Sequence, residues 1–211
     1  MSRRRTQPAL TTTSFALLSH LALRPWSAYE LAVERVRYFR YFWARAERGI
    51  YQELKRLDAL GMVTAKKEYR GRRARTVYSI TPAGVAALRD WLESPLAPIS
   101  LEFEALLRVF AAPLGTVDQL KATLEKVRGA VAEMTAFNDA IVQEYLDGSA
   151  PFQHEAYVRT LVVDFLTDWM ATIERWVDRT VAEVETWKDL SPEGKQERVR
   201  ARLVAARSRR D

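Results

Sequence analysis

Four arginines surround a single glycine where the sequence predicts a tight turn: Arg70, Arg72, Arg73 and Arg75. The planar guanidinium group of arginine binds phosphate through two parallel hydrogen bonds. Four positive charges on one short turn repel one another unless a polyanion compensates them. The cluster therefore predicts contact with the phosphates of a nucleic acid. The alternative is a solvated turn that serves only solubility.

A second group of polar side chains lies shortly before the turn, on a segment with helical periodicity. Tyr51, Gln52 and Lys55 share one strip of that helix, because residues three and four apart are neighbours on a helix. Glutamine can pair with adenine through two hydrogen bonds, and lysine can reach O6 and N7 of guanine. The strip predicts contacts in a major groove. The alternative is a solvated helix face, which is the commoner role of such a strip. Tyr29 and Arg48 complete the candidate DNA contacts.

A predicted helix and a predicted hairpin position these residues. Apolar residues recur at spacings of four, three and three from Ile50 to Leu60, which is one face of a helix, and Gly61 ends it. Thr81 is a good N-cap, and Pro82 suits the first position of a further helix. The predicted elements are a helix over residues 47–60, strands over 62–68 and 75–80, and a helix over 82–93.

Two earlier helices complete a recognisable domain. Apolar residues at helical spacing predict the first over residues 13–23, and Pro25 follows its end. Ser27 is a good N-cap for the second, over residues 28–37. Three helices followed by a basic hairpin and a fourth helix predict a winged helix-turn-helix domain over residues 10–94.

The remainder of the chain is predicted to be helical. Residues 94–98 carry two prolines and form the predicted domain boundary. Beyond it, helices are predicted over residues 101–112, 117–145 and 152–188. The two longer ones keep apolar spacings of three and four, which is typical of a bundle or a coiled-coil seam. The fold class is therefore mainly α, with an all-α dimerisation domain over 98–190 and a basic tail over 195–211.

Charge divides the chain in a similar way. Residues 1–95 carry 18 Lys and Arg against 8 Asp and Glu, a net charge of +10. Residues 96–194 carry 8 against 17, a net charge of −9. The last 17 residues carry 7 against 2, a net charge of +5. A basic front half fits a polyanionic partner, which would repel the acidic half. Chance segregation is the alternative.

Several function classes find no support in the sequence. No apolar run approaches the roughly 18 residues of a membrane span. The basic N-terminus lacks the apolar segment of an export signal, so a cytoplasmic protein is expected. The chain has no cysteine, which excludes disulfides and thiolate metal sites. No catalytic or nucleotide-binding motif is present, so no enzyme activity, cofactor or metal is expected.

Short motifs spread over residues 10–94 match the pattern of a known family. They are Tyr29-Glu30-Leu31, Gly49-Ile50-Tyr51, Leu60-Gly61-Met62-Val63, Gly71-Arg72 and Tyr78-Ser79-Ile80-Thr81-Pro82-Ala83-Gly84. The chain thereby resembles the PadR family of bacterial transcriptional regulators, in the subfamily with the larger, Vir-like helical C-terminal domain. Two positions depart from the pattern: Gln52 stands where a proline is usual, and Ala28 where a glycine is usual.

The resemblance implies a homodimeric winged-helix repressor whose C-terminal helices are exchanged between subunits. The helix near Tyr51 would enter a major groove, and the hairpin would touch the backbone or the minor groove. The predicted partner is a pseudo-palindromic operator in double-stranded DNA, from which an effector releases the protein. The alternative is a helical adaptor whose winged domain binds protein instead of DNA.

Trp169 and Trp176 lie on one broad face of the last long helix. One interpretation is packing in a core or a dimer interface. The other is an aromatic-lined pocket for a small flat effector, because PadR relatives can respond to phenolic or multidrug-like ligands. Both tryptophans are therefore candidate effector-binding residues.

Overall fold

The structure is a computed structural model that describes residues 10–39, 41, 49–70, 73–191 and 195–209, with the backbone alone for 34–39, 70 and 73. The chain divides into two compact units, residues 1–98 and 99–211. Among the described residues, no helix combines the length and the apolar character that crossing a bilayer requires.

The first unit contains, in its described part, four helices and a three-stranded antiparallel sheet. Its elements are α1 (Thr12–Leu21), β1 (Trp26–Ser27), α2 (Ala28–Phe39), α3 (Ile50–Ala59), β2 (Val63–Arg70), β3 (Arg73–Ile80) and α4 (Pro82–Glu93). The strand order is β1-β3-β2. Side-chain oxygens of Thr11 and Thr81 cap α1 and α4, and Pro82 occupies the first turn of α4. The predicted winged-helix fold is confirmed.

The short strand β1 is absent from the sequence prediction, because two residues are too few to show a periodicity. Its residues pair with Val77 and Tyr78 of β3. The indole N–H of Trp26 also donates a hydrogen bond to the carbonyl oxygen of His20 at 2.8 Å, and both side chains are buried. The connection between α1 and α2 is thereby fixed to the sheet.

The hairpin is longer than the sequence predicts. Its register runs from Val63 opposite Ile80 to Arg70 opposite Arg73. Cross-strand pairing therefore continues beyond the predicted strand ends.

The core of the first unit lies between its helices and the sheet. Its buried apolar residues include Leu17, Leu18, Leu21, Trp26, Leu31, Ile50, Leu54, Leu57 and Val63. Gly61, with φ of 71°, ends α3 in the left-handed region that favours glycine. At Gly84, a Cβ would collide with the carbonyl oxygen of Met62, so glycine allows α4 to approach the end of the hairpin.

Helical spacing predicts that Leu92 faces the core and that either Val33 or Val36 packs inward with Leu31, but Leu92 and Val33 are exposed. Leu92 is 71% exposed, whereas its neighbour Trp91 is half-buried and stacks its ring on Phe15, with centroids 4.9 Å apart. Adjacent helical positions point about 100° apart, so Leu92 faces away. Val33 is 53% exposed because it lies two positions after the buried Leu31 of α2, about 200° around the helix.

The second unit is helical throughout its described part. Its elements are α5 (Glu104–Phe110), a 3₁₀ turn (Ala112–Leu114), α6 (Val117–Leu146), a 3₁₀ turn (Gln153–Glu155), α7 (Ala156–Val184) and α8 (Gln196–Ser208). The long helices α6 and α7 pack together around a cluster formed by Leu120, Leu124, Val127, Val177, Val181 and Val184. α7 begins later than predicted because Phe152 adopts a left-handed conformation with φ of 60° before the second 3₁₀ turn. The basic tail contains a helix, α8.

Candidate nucleic-acid interface

The polar strip of α3 is the exposed face of an amphipathic helix. Ile50, Leu54 and Leu57 are buried on the opposite face. Tyr51 is 58% exposed, and Gln52 and Lys55 are also exposed. The structure therefore brings the three predicted residues together on one accessible surface, hereafter the α3 strip.

Arg56, which the sequence places beside the α3 strip, points instead toward α1. Its Nη1 donates to Glu53 Oε1 at 2.8 Å and to Ser14 Oγ at 3.4 Å. The Ser14 hydroxyl, fully buried, also donates to the Glu53 carboxylate. This network joins α1 to α3 and fixes the direction in which α3 presents its outer face. Helical periodicity alone does not reveal it, because the partner comes from another element.

Tyr29 stands on a different helix from the α3 strip. It is the second residue of α2 and is 72% exposed. Arg48, the remaining candidate from this region, lies outside the described residues.

The arginines of the hairpin occupy two kinds of position. Arg70 and Arg73 face each other at the last pair of the ladder, directly beside the turn. Arg72 lies outside the described residues. Arg75 lies further down β3, opposite Glu68. The structure thus separates Arg75 from the arginines at the turn.

The guanidinium group of Arg75 contacts two carboxylates. Its Nη2 lies 3.3 Å from Glu68 Oε2, and its Nη1 lies 3.5 Å from Glu30 Oε1. Glu30 belongs to the first turn of α2 and also lies 3.9 Å from Nη1 of Arg24. Arg75 therefore connects the hairpin to the start of α2.

Glu30 is held at its position by a capping box. The backbone N–H and hydroxyl of Ser27 donate to Glu30 Oε2 at 2.8 Å and 2.7 Å, and the Glu30 N–H donates to Ser27 Oγ at 3.2 Å. Glu30 is not among the residues predicted from the sequence to form the site. The capping role of Glu30 is nevertheless indicated by the sequence, because a serine followed three residues later by a glutamate is the capping-box pattern.

The surroundings of Glu30 keep it ionised. Burial acts to raise the pKa of its carboxyl group, but the two hydrogen bonds from Ser27 and the charges of Arg24 and Arg75 outweigh burial. The net result is a pKa below the ordinary value of 4.5. A carboxylate that is negative at neutral pH thus faces Arg75.

The second unit contains a cavity of about 390 Å³ between α5, α6 and α7. The residues that line it are Glu102, Phe103, Glu104, Ala105, Arg108, Thr123, Lys126, Val127, Ala130, Val131, Met134, Trp169 and Ile173. Trp169 thus lies in its wall. Trp176 does not line it, but packs edge-on against Phe103, with ring centroids 6.1 Å apart. The two candidate effector residues therefore stand in different positions, one at the cavity and one behind its wall.

Arg108 and Lys126 are the two cationic residues of the cavity lining. Arg108 is engaged by Glu104, with Nε and Nη2 at 2.9 Å and 2.6 Å from Oε1. Lys126 forms no ion pair within the described part of the chain. An anionic group in the cavity would therefore find Lys126 available.

The helices, the basic hairpin and the exposed α3 strip define the first unit as a winged helix-turn-helix of the DNA-binding class. Residues 17–90 match the model of a family described as the transcriptional regulator PadR-like family. The matched region, which covers most of the first unit, is thus similar in sequence to PadR-like transcriptional regulators. The sequence matches no curated protein at a significant level.

Solved structures extend the likeness beyond the matched domain. The Bacillus subtilis PadR in complex with operator DNA has a TM-score of 0.69 at 18% identity, over 82% of this chain and 99% of that one. The Vibrio cholerae virulence activator AphA has a TM-score of 0.63 at 22% identity, over 82% and 98%. The Bacillus subtilis PadR in complex with p-coumaric acid has a TM-score of 0.62 at 17% identity, over 85% and 100%. These likenesses show a shared fold, a winged helix with a helical C-terminal region.

Proposed function

We propose that this protein is a homodimeric regulator that binds a pseudo-palindromic operator and represses transcription until an effector releases it. One observation carries the proposal: the exposed α3 strip and the basic hairpin belong to the same compact unit. In helix-turn-helix proteins the second helix of the motif contacts base edges in the major groove. Gln52 and Lys55 are side chains that can read such edges. Tyr29, Tyr51 and Arg48 would add contacts to the bases or the backbone.

The hairpin arginines have two different roles. Arg70 and Arg73 form the last pair of the ladder, and together with Arg72 they would neutralise phosphates beside the groove. Arg75 is committed to Glu30 and Glu68 and acts as a positioning residue that holds the hairpin against α2. A phosphate would have to displace two carboxylates to bind Arg75, so its direct contribution to DNA contact is small.

A second copy of the chain is the proposed occupant of an apolar stripe on α7. The stripe consists of Tyr157, Val158, Leu161, Val162 and Phe165, which are between 43% and 77% exposed. Their spacing places them along one side of the first half of the helix. Exposed apolar patches of this kind mark interaction surfaces. Two copies joined by a twofold axis would match a pseudo-palindromic operator, since operator symmetry mirrors protein symmetry.

The proposed effector site is the cavity of the second unit. Its volume of about 390 Å³ lies within the range of small-ligand sites. Apolar and aromatic side chains form most of the wall, including Trp169, Met134 and Ile173. The charged lining residues are Glu102, Glu104, Arg108 and Lys126, of which Glu104 and Arg108 pair with each other and Lys126 remains available to an anion. This combination suits a flat aromatic acid. The Bacillus subtilis structure with p-coumaric acid supports the choice of that compound as the first probe.

Mapping the protected DNA upstream of the gene for this protein tests the regulatory function. We expect one protected region with two symmetric half-sites, separated by whole turns of the double helix. Uniform affinity for upstream and random DNA would contradict an operator. Absence of DNA binding together with a stable protein complex would instead establish the adaptor alternative.

A further inference from the structure

Arginine side chains of α8 fix this helix to the preceding one. Arg202 forms an ion pair with Glu183 of α7. The Arg198 Nη1 donates to the Thr186 hydroxyl at 2.6 Å. Lys195, which precedes α8, lies 3.1 Å from Asp189. These contacts hold α8 in a defined position beside the C-terminal end of α7.

A different pair of arginines lies on the opposite side of α8. Successive residues of a helix are rotated by about 100°, so Arg198 and Arg202 share one side and Arg200 points away from them. Arg207 follows Arg200 by seven residues, which is about two turns and about 10 Å along the same side. Arg200 and Arg207 are both exposed, and neither forms an ion pair within the described part of the chain. We call this pair the outer arginines of α8.

The charge of this segment contrasts with that of the helices before it. Residues 195–211 carry 7 Lys and Arg against 2 Asp and Glu, whereas residues 96–194 carry 8 against 17. If α8 only neutralised the acidic helices, its arginines would be expected to face carboxylates. One of its described arginines, Arg202, does so. The outer arginines instead present positive charge to the solvent.

We propose that the outer arginines of α8 bind phosphates of double-stranded DNA, as a second contact separate from the α3 strip and the hairpin. The inference rests on the proposed DNA-binding function. Guanidinium groups bind phosphates in bidentate geometry, and DNA presents phosphates at close and regular spacing. Because these contacts are made to the backbone, they strengthen binding to any DNA sequence and leave discrimination to the α3 strip.

The test compares three double variants of the full chain on 60-base-pair DNA, with and without an operator. The first is Arg200→Gln with Arg207→Gln. The second, Arg175→Gln with Arg179→Gln, removes the same charge from exposed positions of α7 and is the matched control. The third, Arg72→Gln with Arg73→Gln, reports on the hairpin. Fluorescence anisotropy measures the observed association constant over a series of salt concentrations.

We expect the α8 variant to bind operator and random DNA with a shallower salt dependence, while the operator preference remains. Each phosphate contact contributes about 0.9 to the slope of log K against log salt, so two per subunit reduce the slope of a dimer by about 3.6. The control variant should keep the wild-type slope. An unchanged slope for the α8 variant, or an equal loss in the control, overturns the inference.

The hairpin variant separates this failure from a failure of the proposed function. If the hairpin variant has a reduced salt slope and the α8 variant keeps the wild-type slope, only the proposed α8 contact is wrong. Wild-type slopes in both variants would contradict DNA binding by the winged-helix unit as well. Loss of binding to phosphatidylglycerol vesicles by the α8 variant, with an unchanged DNA slope, would assign α8 to a membrane surface and overturn the proposal.

Discussion

Position rather than charge distinguishes the arginines of the hairpin. Arg70 and Arg73 end the ladder beside the turn, whereas Arg75 lies two positions further along β3. There it meets Glu68 across the strands and Glu30 from α2. The arginines that are clustered in the sequence thus occupy two different places on the hairpin, and Arg75 is the one that lies beside Glu68 and Glu30.

At the turn, Arg72→Ala combined with Arg73→Ala should weaken binding to operator and random DNA alike. Two lost phosphate contacts per subunit make the salt slope of a dimer about 3.6 less steep. The matched control is Lys66→Ala with Lys67→Ala, which removes two exposed cations from β2 of the same hairpin and should change the slope less. Anisotropy titrations over a salt series measure both. Equal effects of the two variants would show that total charge, not the turn, governs binding.

At the base of the hairpin, Arg75→Gln should reduce stability and DNA affinity while keeping the wild-type salt slope. The ion pairs are partly exposed, so we expect a loss of about 0.5–1 kcal/mol in the free energy of unfolding. Thermal unfolding and anisotropy titration measure the two quantities. Glu30→Gln should act in the same direction, and the double variant should lose less than the sum, because both changes break one contact. A slope reduced by Arg75→Gln would instead make Arg75 a phosphate contact.

The same contact predicts a pH dependence. The folded-state pKa of Glu30 lies below its ordinary value of 4.5, so its contribution is present above that pH and is lost as pH falls through the folded value. Wild type should therefore exceed Glu30→Gln in melting temperature at neutral pH, and the difference should shrink below pH 4.5. Thermal melts between about pH 3 and 7 measure it. A difference that stays constant over this range would contradict the role given to the Glu30 carboxylate.

At the scale of elements, the sequence predicts helices that have a regular apolar periodicity. It does not predict features that depend on contact with a residue far away in the chain. α3, α4 and α6 follow from apolar periodicity and caps, and the structure confirms them. β1 is too short to show a pattern and forms because β3 offers a partner. Arg56 belongs by spacing to the outer side of α3, yet Ser14 of α1 and Glu53 draw it inward. The α3 strip was thus predictable, whereas its fixed orientation was not.

The α7 stripe should control the oligomeric state. Leu161→Glu and Phe165→Glu place a charge in the proposed interface, and an unpaired buried charge costs about 3–5 kcal/mol. We expect each variant to weaken dimerisation at least about 100-fold. Sedimentation velocity measures the change. Leu203→Glu makes the same substitution at an exposed apolar position of α8 and should leave the dimer intact. Wild-type dimerisation in both stripe variants would exclude the stripe as the interface.

At the scale of the whole molecule, charge is divided among three successive segments of the chain, which are basic, acidic and basic. Net positive charge lies in the first 95 residues and net negative charge in residues 96–194. A polyanion attracts the first segment and repels the second, which favours an encounter through the winged helix. Within the second unit, the acidic helices carry the cavity and the exposed α7 stripe and are left for ligand and subunit contacts, whereas the basic α8 is the segment proposed to reach DNA. A ligand in this unit can release DNA only if it binds the free form more tightly than the DNA-bound form.

A substitution that fills the cavity should therefore leave operator binding intact and abolish the release of DNA by the effector. Ala130→Phe introduces a ring at the cavity wall, whereas Ala122→Phe makes the same change on α6 outside the lining residues. With p-coumaric acid as the probe, wild type and Ala122→Phe should lose operator affinity and show a change in tryptophan fluorescence from Trp169. Ala130→Phe should bind the operator normally and show neither response. Trp169→Phe should lose the fluorescence change while the acid still releases it from DNA. A response of Ala130→Phe equal to that of wild type would place the effector elsewhere, and failure of wild type to respond would exclude this acid as the effector.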